Sequence, residues 1–168
     1  MCLTEAEITS CSRSFLRKNG FSIVSTSKGE KLFYRIEETE RPELKQPDTV
    51  AIKDNYVIIF ENKKLYNDLF KSGKDKISDV KKLRKFINNN AFVDEFKEKI
   101  KNLINPEYKT IHIKYGCSSL INKTSTYKLP DDFIFIGVLK KKKQILVSIE
   151  KTATLNDLFP IKSCVERL

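Results

Sequence analysis

The sequence predicts an α/β layered fold, a central sheet with helices packed on both sides. Three observations carry this expectation. Residues 49–60 read as a β-hairpin apolar on both faces, with Val50, Ile52, Val57 and Ile59 on one and Ala51, Ile58 and Phe60 on the other. Strands buried on both faces belong in the middle of a covered sheet. Apolar residues recur at helical spacing before the hairpin (Ile8, Cys11, Phe15, Leu16) and after it (Ile77, Val80, Leu83, Phe86, Ile87). The chain of 168 residues shows no internal repeat or linker, so it is read as one domain, 1–168.

In chain order, residues 4–19 form the first helix. Thr4 with Glu7 matches a capping box, and Asn19-Gly20 supplies a left-handed stop. Residues 21–27 alternate as a half-buried strand, Lys28-Gly29-Glu30 turns it, and 31–36 is its partner strand. Residues 37–46 are polar, contain Pro42 and read as a loop. The hairpin follows, with Asp54-Asn55 as its turn. After the Ser72-Gly73 break, 74–87 reads as a helix with a basic outer face, and 91–104 as a second helix that Asn90 can cap. Then come a strand at 108–115 and a polar connector at 116–129. A second hairpin spans 131–150, with strands at 133–139 and 144–149 and the four lysines 140–143 at its tip, and a short turn occupies 155–159.

The charge balance is unusual: 32 Lys and Arg against 22 Asp and Glu, a net of +10. Such a surface is either lysine-rich solvation or a binding face for a polyanion, above all nucleic acid. No run of about 18 apolar residues is present, so no membrane span is expected. The opening MCLTEAEITS is acidic and is not a secretion signal, which points to an intracellular protein of the cytoplasm, nucleoid or nucleus. Cys2, Cys11, Cys117 and Cys164 form no CxxC pair and have no histidine neighbour, so they read as reduced thiols and not as zinc ligands. The lone His112 lies in an apolar strand and reads as structural.

The chemistry gathers at the open end of the first hairpin. A two-residue turn pairs Lys53 with Tyr56, which puts Asp48 directly opposite Glu61. The period of two adds Lys63 to the same face. Two neighbouring carboxylates repel each other, and a hard divalent cation is the usual resolution. A lysine beside such a cation can orient an attacking water, lower its pKa or stabilise a pentacovalent phosphorane, which together describe metal-assisted phosphodiester hydrolysis. The plain alternative is a polar hairpin end closed by a cross-strand salt bridge.

Pro47-Asp48 with Glu61-Asn62-Lys63 resembles the motif of the PD-(D/E)xK nuclease superfamily, the fold of many restriction enzymes and archaeal Holliday-junction resolvases. The resemblance spans about residues 4–115 as an ordered set of helix, strands, PD, hairpin, ExK, basic helix and strand. It implies a restriction-endonuclease-like core, a central mixed sheet flanked by helices. It further implies a DNA endonuclease using Mg²⁺ or Mn²⁺, commonly a homodimer with one site per strand. Asp48 and Glu61 would hold the metal with the Asn62 carbonyl, and Lys63 would position or activate the water. A first-helix glutamate often joins such sites, which nominates Glu7 beside its capping role and, more weakly, Glu5. Lys64, Lys74, Lys81, Lys82 and Lys85 are the expected phosphate contacts.

The tripeptide alone has little weight in so basic a chain. Glu43-Leu44-Lys45, Glu95-Phe96-Lys97 and Glu107-Tyr108-Lys109 also match it, and Pro130-Asp131 with Glu150-Lys151-Thr152 is a nearer imitation that ends in threonine. Two other readings stay open. One is an RNA endonuclease of the cap-snatching type, many of which carry an early-helix histidine that this chain lacks. The other is a non-catalytic nucleic-acid-binding protein that keeps the fold.

Overall fold

The computed structural model describes residues 2–24, 32–37, 43–74, 76–121 and 127–167. The chain is a mixed α/β fold. Helix α1 (Glu5–Lys18) opens on the expected capping box: the Thr4 side chain accepts from the Glu7 amide at 3.2 Å, and the Glu7 carboxylate accepts from the Thr4 amide at 2.7 Å. Ile8, Cys11, Phe15 and Leu16 are buried along it.

Strand β1 (Ser22–Ile23) is short; Val24 beyond it donates to the Val50 carbonyl at 2.9 Å, and the rest of the expected strand, 25–27, and the Lys28-Gly29-Glu30 turn lie outside the described residues. β2 (Tyr34–Arg35) does not pair with it. It pairs antiparallel with β3 (Leu44–Lys45), so the segment read as a loop supplies a strand, and the two form a separate ribbon. Among the described residues two register pairs join this ribbon, too few to leave an alternating pattern in the sequence.

The central hairpin has the expected register. β4 (Thr49–Lys53) pairs with β5 (Tyr56–Leu65) from Thr49 opposite Phe60 to Lys53 opposite Tyr56. Asp54 takes the left-handed backbone of the turn, with φ 52°. Strand β5 carries the chain five residues past Phe60, through the whole Glu61-Asn62-Lys63 segment.

Helix α2 (Asp79–Ile87) begins later than its periodicity suggests. Ser78 caps it by accepting the Lys81 amide at 3.3 Å, while Gly73 and Lys76 close a small bridge ahead of it. Helix α3 (Asn90–Ile100) is capped by Asn89 and not by Asn90, the Asn89 side chain accepting from Phe92 at 3.2 Å, and a 3-10 turn at Lys101–Leu103 follows.

Strand β6 (His112–Leu120) corrects the expected connector. Gly116, Cys117, Ser118 and Ser119 are buried strand, parallel to β5 on one side and to β7 (Ile134–Lys141) on the other. Small residues are needed here. A Cβ on Gly116 would lie 2.5 Å from the Ile134 carbonyl oxygen and 2.8 Å from the Phe60 ring. The same smallness and polarity made the run look like a loop. β8 (Gln144–Thr152) pairs antiparallel with β7, and β9 (Ser163–Glu166), which the sequence pattern does not announce, pairs with β8.

The seven-stranded sheet has the order β1-β4-β5-β6-β7-β8-β9. One apolar cluster packs α2 and α3 on it through Val57, Ile59, Leu83, Phe86 and Phe96, and the other packs α1 through Ile8, Phe15, Ala51, Ile58 and Phe60. The sheet is therefore covered on both faces, as the two-faced hairpin required. Because β5, β6 and β7 are parallel, their C-terminal ends share one edge. Among the described residues, no helix is long and apolar enough to cross a membrane.

Candidate functional site

The site sits where β5 outruns β4. Asp48 stands just before β4, its amide bonded to the Phe60 carbonyl at 3.1 Å and its Oδ2 accepting the Asn62 amide at 2.8 Å. Arg13 of α1 fixes this corner from the far side: its guanidinium donates to the Asp48 carbonyl and, at 3.1 Å, to Thr49 Oγ1. A residue of an antiparallel ladder turns its N–H and C=O toward the same neighbour. The Asn62 amide reaches Asp48, so the Asn62 carbonyl faces that side too. The Asn62 side chain points to the opposite face, where it donates to Thr9 at 3.0 Å and accepts from Ser118.

Glu61 is 1% exposed. The ribbon covers it: Tyr34 and Lys45, directly opposed in register, both reach its carboxylate. The Tyr34 hydroxyl donates to Oε1 at 2.7 Å, and Lys45 Nζ lies 3.8 Å from Oε2. Burial pushes the Glu61 carboxyl well above its ordinary value, the Asp48 charge adds to the rise, and Lys45 and Tyr34 only partly oppose it. Tyr34 is itself pushed far up by burial and the adjoining Glu61.

Lys63 projects on the Glu61 face and is held between two acids, Asp79 Oδ2 at 3.5 Å and Glu5 Oε1 at 3.9 Å. Burial pulls its pKa down, but Asp79, Glu5 and Asp48 outweigh it and leave the ammonium above the ordinary lysine value. Asp79, in the first turn of α2, is 3% exposed. Glu61 Oε2 and Asp79 Oδ2 are both buried without a hydrogen-bond donor. A buried carboxylate oxygen left in that state costs about 1–3 kcal/mol or more.

Asp48, Glu61, Asn62 and Lys63 are thus brought together as the hairpin register required. Glu7 is not among them, since its carboxylate closes the α1 cap; Glu5 is the first-turn acid that reaches the site. Of the expected phosphate contacts, Lys64, Lys74, Lys81 and Lys85 are exposed, Lys85 pairing with Glu37 at 3.3 Å. Lys82 is corrected: it is 4% exposed, turned inward on α2 beside Leu83, and presents no open charge. His112 stacks on Tyr56 at 4.8 Å, a packing role. All four cysteines are free thiols.

Sequence pattern does not single out four of the site residues: Asp79, Tyr34, Lys45 and Arg13. Asp79 had a usable signal, because Ser78-Asp79 is a helix N-cap followed by a first-turn acid. The other three act through tertiary contacts that leave no local pattern. Among the described residues, no three His, Cys, Asp or Glu side chains gather closely enough to hold a metal ion by themselves. Comparison with family models, with curated proteins and with solved structures finds no match.

Proposed function

We propose that this chain is a divalent-metal-dependent nuclease that hydrolyses phosphodiester bonds in DNA, built on a restriction-endonuclease-like core. The observation that carries the reading is the convergence, at one covered strand end, of Asp48, a buried Glu61 with an undonated oxygen, and a protonated Lys63. The order of elements supports it as well: a helix, an antiparallel set β1-β4-β5, a helix, then β6 parallel to β5, in the sequence that the PD-(D/E)xK resemblance implies.

The donor set fits Mg²⁺ or Mn²⁺, because such ions take one or two carboxylates and complete their shell with water and substrate oxygens. Asp48, Glu61 and the Asn62 carbonyl would hold the ion. When bound, it supplies Lewis-acid polarisation of the scissile phosphate and offsets its negative charge. The remaining work falls to the chain itself. Lys63, kept protonated by Asp79 and Glu5, acts as a cation and not as a base. It donates to the attacking water and to the charge that builds on the phosphoryl oxygens. Arg13 and the Asn62 amide hold Asp48 in place, and Tyr34 fixes one Glu61 oxygen, which leaves Oε2, beside Lys45, as the oxygen without a hydrogen-bond donor.

One observation favours a second reading. Lys45 already faces Glu61 Oε2 at 3.8 Å, and a neutralised buried network would suit a non-catalytic nucleic-acid-binding protein. Incubation with plasmid, single-stranded, four-way-junction DNA and RNA, in Mg²⁺, Mn²⁺ or EDTA, separates the two. DNA cleavage with either metal, absent in EDTA and in Asp48→Ala and Lys63→Ala, is the expected result. Cleavage that persists in EDTA or in Asp48→Ala overturns the mechanism, and cleavage of RNA alone moves the substrate. No cleavage of any polymer, with no Mn²⁺ bound, leaves the non-catalytic reading. The homodimer belongs to the same proposal, and sedimentation of the DNA-free protein checks it.

A further inference from the structure

The lysine-rich tip of the β7–β8 hairpin has no part in the site, yet the topology brings it to the same edge. Strands β5, β6 and β7 are parallel, and Leu65, Leu120 and Val138 stand level across them. Lys63 lies two residues before that level and Lys141 three residues beyond it. Five residues along the strands and two strand spacings across them amount to about 20 Å. The phosphates of one DNA strand advance about 3.4 Å per nucleotide, so that span covers about six nucleotides.

The ground between is prepared. The head of α1 lies there and meets both ends: Glu5 touches Lys63, and a shallow depression lined by Cys2, Leu3, Leu120, Lys140 and Lys142 joins it to the tip. The two acids of that helix turn are already engaged, Glu5 by Lys63 and Glu7 by the Thr4 amide. Lys141, Lys142 and Lys143 are exposed, and none forms an ion pair with a described residue. The α2 face is less suited. Lys82 is buried, Arg84 is paired with Asp132 and Lys85 with Glu37. The helix also leads away from the site, its last residue Ile87 lying by Ile113 and Tyr115, toward the opposite end of the sheet.

We infer that Lys141, Lys142 and Lys143 bind the phosphate backbone of a nucleic acid about six nucleotides from the bond set at Lys63, with α1's head beneath the intervening strand. This rests on the nuclease reading and adds the direction in which the polymer runs. Charge of this kind positions a backbone without reading its sequence. Each duplex phosphate that is no longer neutralised by a lysine flattens the dependence of log K on log salt by about 0.9, so three lysines account for up to about 2.7.

The test is fluorescence anisotropy in EDTA over a salt series, with duplexes of about 24 and about 6 base pairs, followed by cleavage in Mg²⁺ at saturating substrate. The variants are Lys141→Ala/Lys142→Ala/Lys143→Ala, the single Lys142→Ala, and Lys109→Ala, an exposed lysine just ahead of β6 at the opposite edge. The expected result is at least tenfold weaker binding of the long duplex by the triple variant, a flatter salt slope, a smaller defect on the short duplex and unchanged saturated cleavage. Lys109→Ala should bind as the parent does. Equal binding by triple variant and parent, while the parent cleaves, overturns the role of the tip and leaves the nuclease standing. Equal loss in Lys142→Ala and Lys109→Ala also overturns it, because bulk charge then explains the effect. A parent that neither binds nor cleaves nucleic acid removes both readings.

Discussion

Pro47-Asp48 and Glu61-Asn62-Lys63 frame the β4–β5 hairpin, and Pro130-Asp131 and Glu150-Lys151-Thr152 frame the β7–β8 hairpin with almost the same letters. Their surroundings differ. Glu61 is buried between a tyrosine and a lysine, and Asp48 is clamped by a backbone amide and an arginine. In the second hairpin Asp131 is fully exposed and lies beyond the ladder, which ends at Ile134 opposite Thr152. Glu150 is exposed and accepts from Ser148, and the half-buried Lys151 donates to the Leu129 carbonyl at 2.5 Å and lies 3.5 Å from Asp131. Charges in water interact weakly, while the same charges against a covered sheet shift their protonation and call for a counter-ion. The letters nominate a site, and burial decides whether it has chemistry.

The largest expected effect separates the two ends by activity. Asp48→Ala or Lys63→Ala lowers metal-dependent cleavage by about 100-fold or more, on the scale of losing a positioned transition-state group. Asp131→Ala and Lys151→Ala stay within about twofold by the same measure, since Asp131 stands in open solvent and Lys151 is tied to the Leu129 carbonyl. Next is metal-linked stability. Mn²⁺ at about 100 times its dissociation constant stabilises the parent by about 2.7 kcal/mol in thermal melts. Glu61→Gln and Asp48→Ala lose this response, and Glu150→Gln keeps it.

A smaller effect follows from Glu61 alone. Its folded carboxyl is raised above the unfolded one, so above the ordinary carboxylate range the folded state binds the extra proton. In EDTA this contribution is complete below the unfolded pKa and is lost as pH rises toward the folded one. The slope is at most about 1.4 kcal/mol per pH unit for one proton. Calorimetric melts between about pH 5 and 8 should show Glu61→Gln losing this decline and gaining most at the alkaline end, while Asp131→Asn keeps the parental profile. The smallest effect is the surface pair itself. Breaking Lys151–Asp131 with Asp131→Ala changes stability by no more than about 1 kcal/mol in urea melts.

The first hairpin was legible because its information is local. Period-two apolar faces set the register, and the register set Asp48 against Glu61. The capping box of α1 was legible for the same reason. Of β6 only the first half, 112–115, was legible; from Gly116, which must be small to admit β7, to Ser119 the run is small and polar and reads as a turn. The β2–β3 ribbon is too short to show a period, so nothing in the letters marks Tyr34 and Lys45. Lys82 misled because a lysine-rich helix offers no letter that marks which lysine turns inward.

The most direct measurement is a calorimetric titration of Mn²⁺ into the metal-free protein near neutral pH, repeated in buffers of different ionisation enthalpy. Burial raises the Glu61 carboxyl, so a metal bound there competes with its proton: the parent should bind saturably, more weakly as the pH falls, with an apparent heat that depends on the buffer wherever a proton is displaced. Glu61→Gln should show neither the binding nor the buffer dependence. Saturable binding undiminished in Glu61→Gln, or no binding by a parent that still cleaves DNA in EDTA, would contradict the placement of a metal at this hairpin.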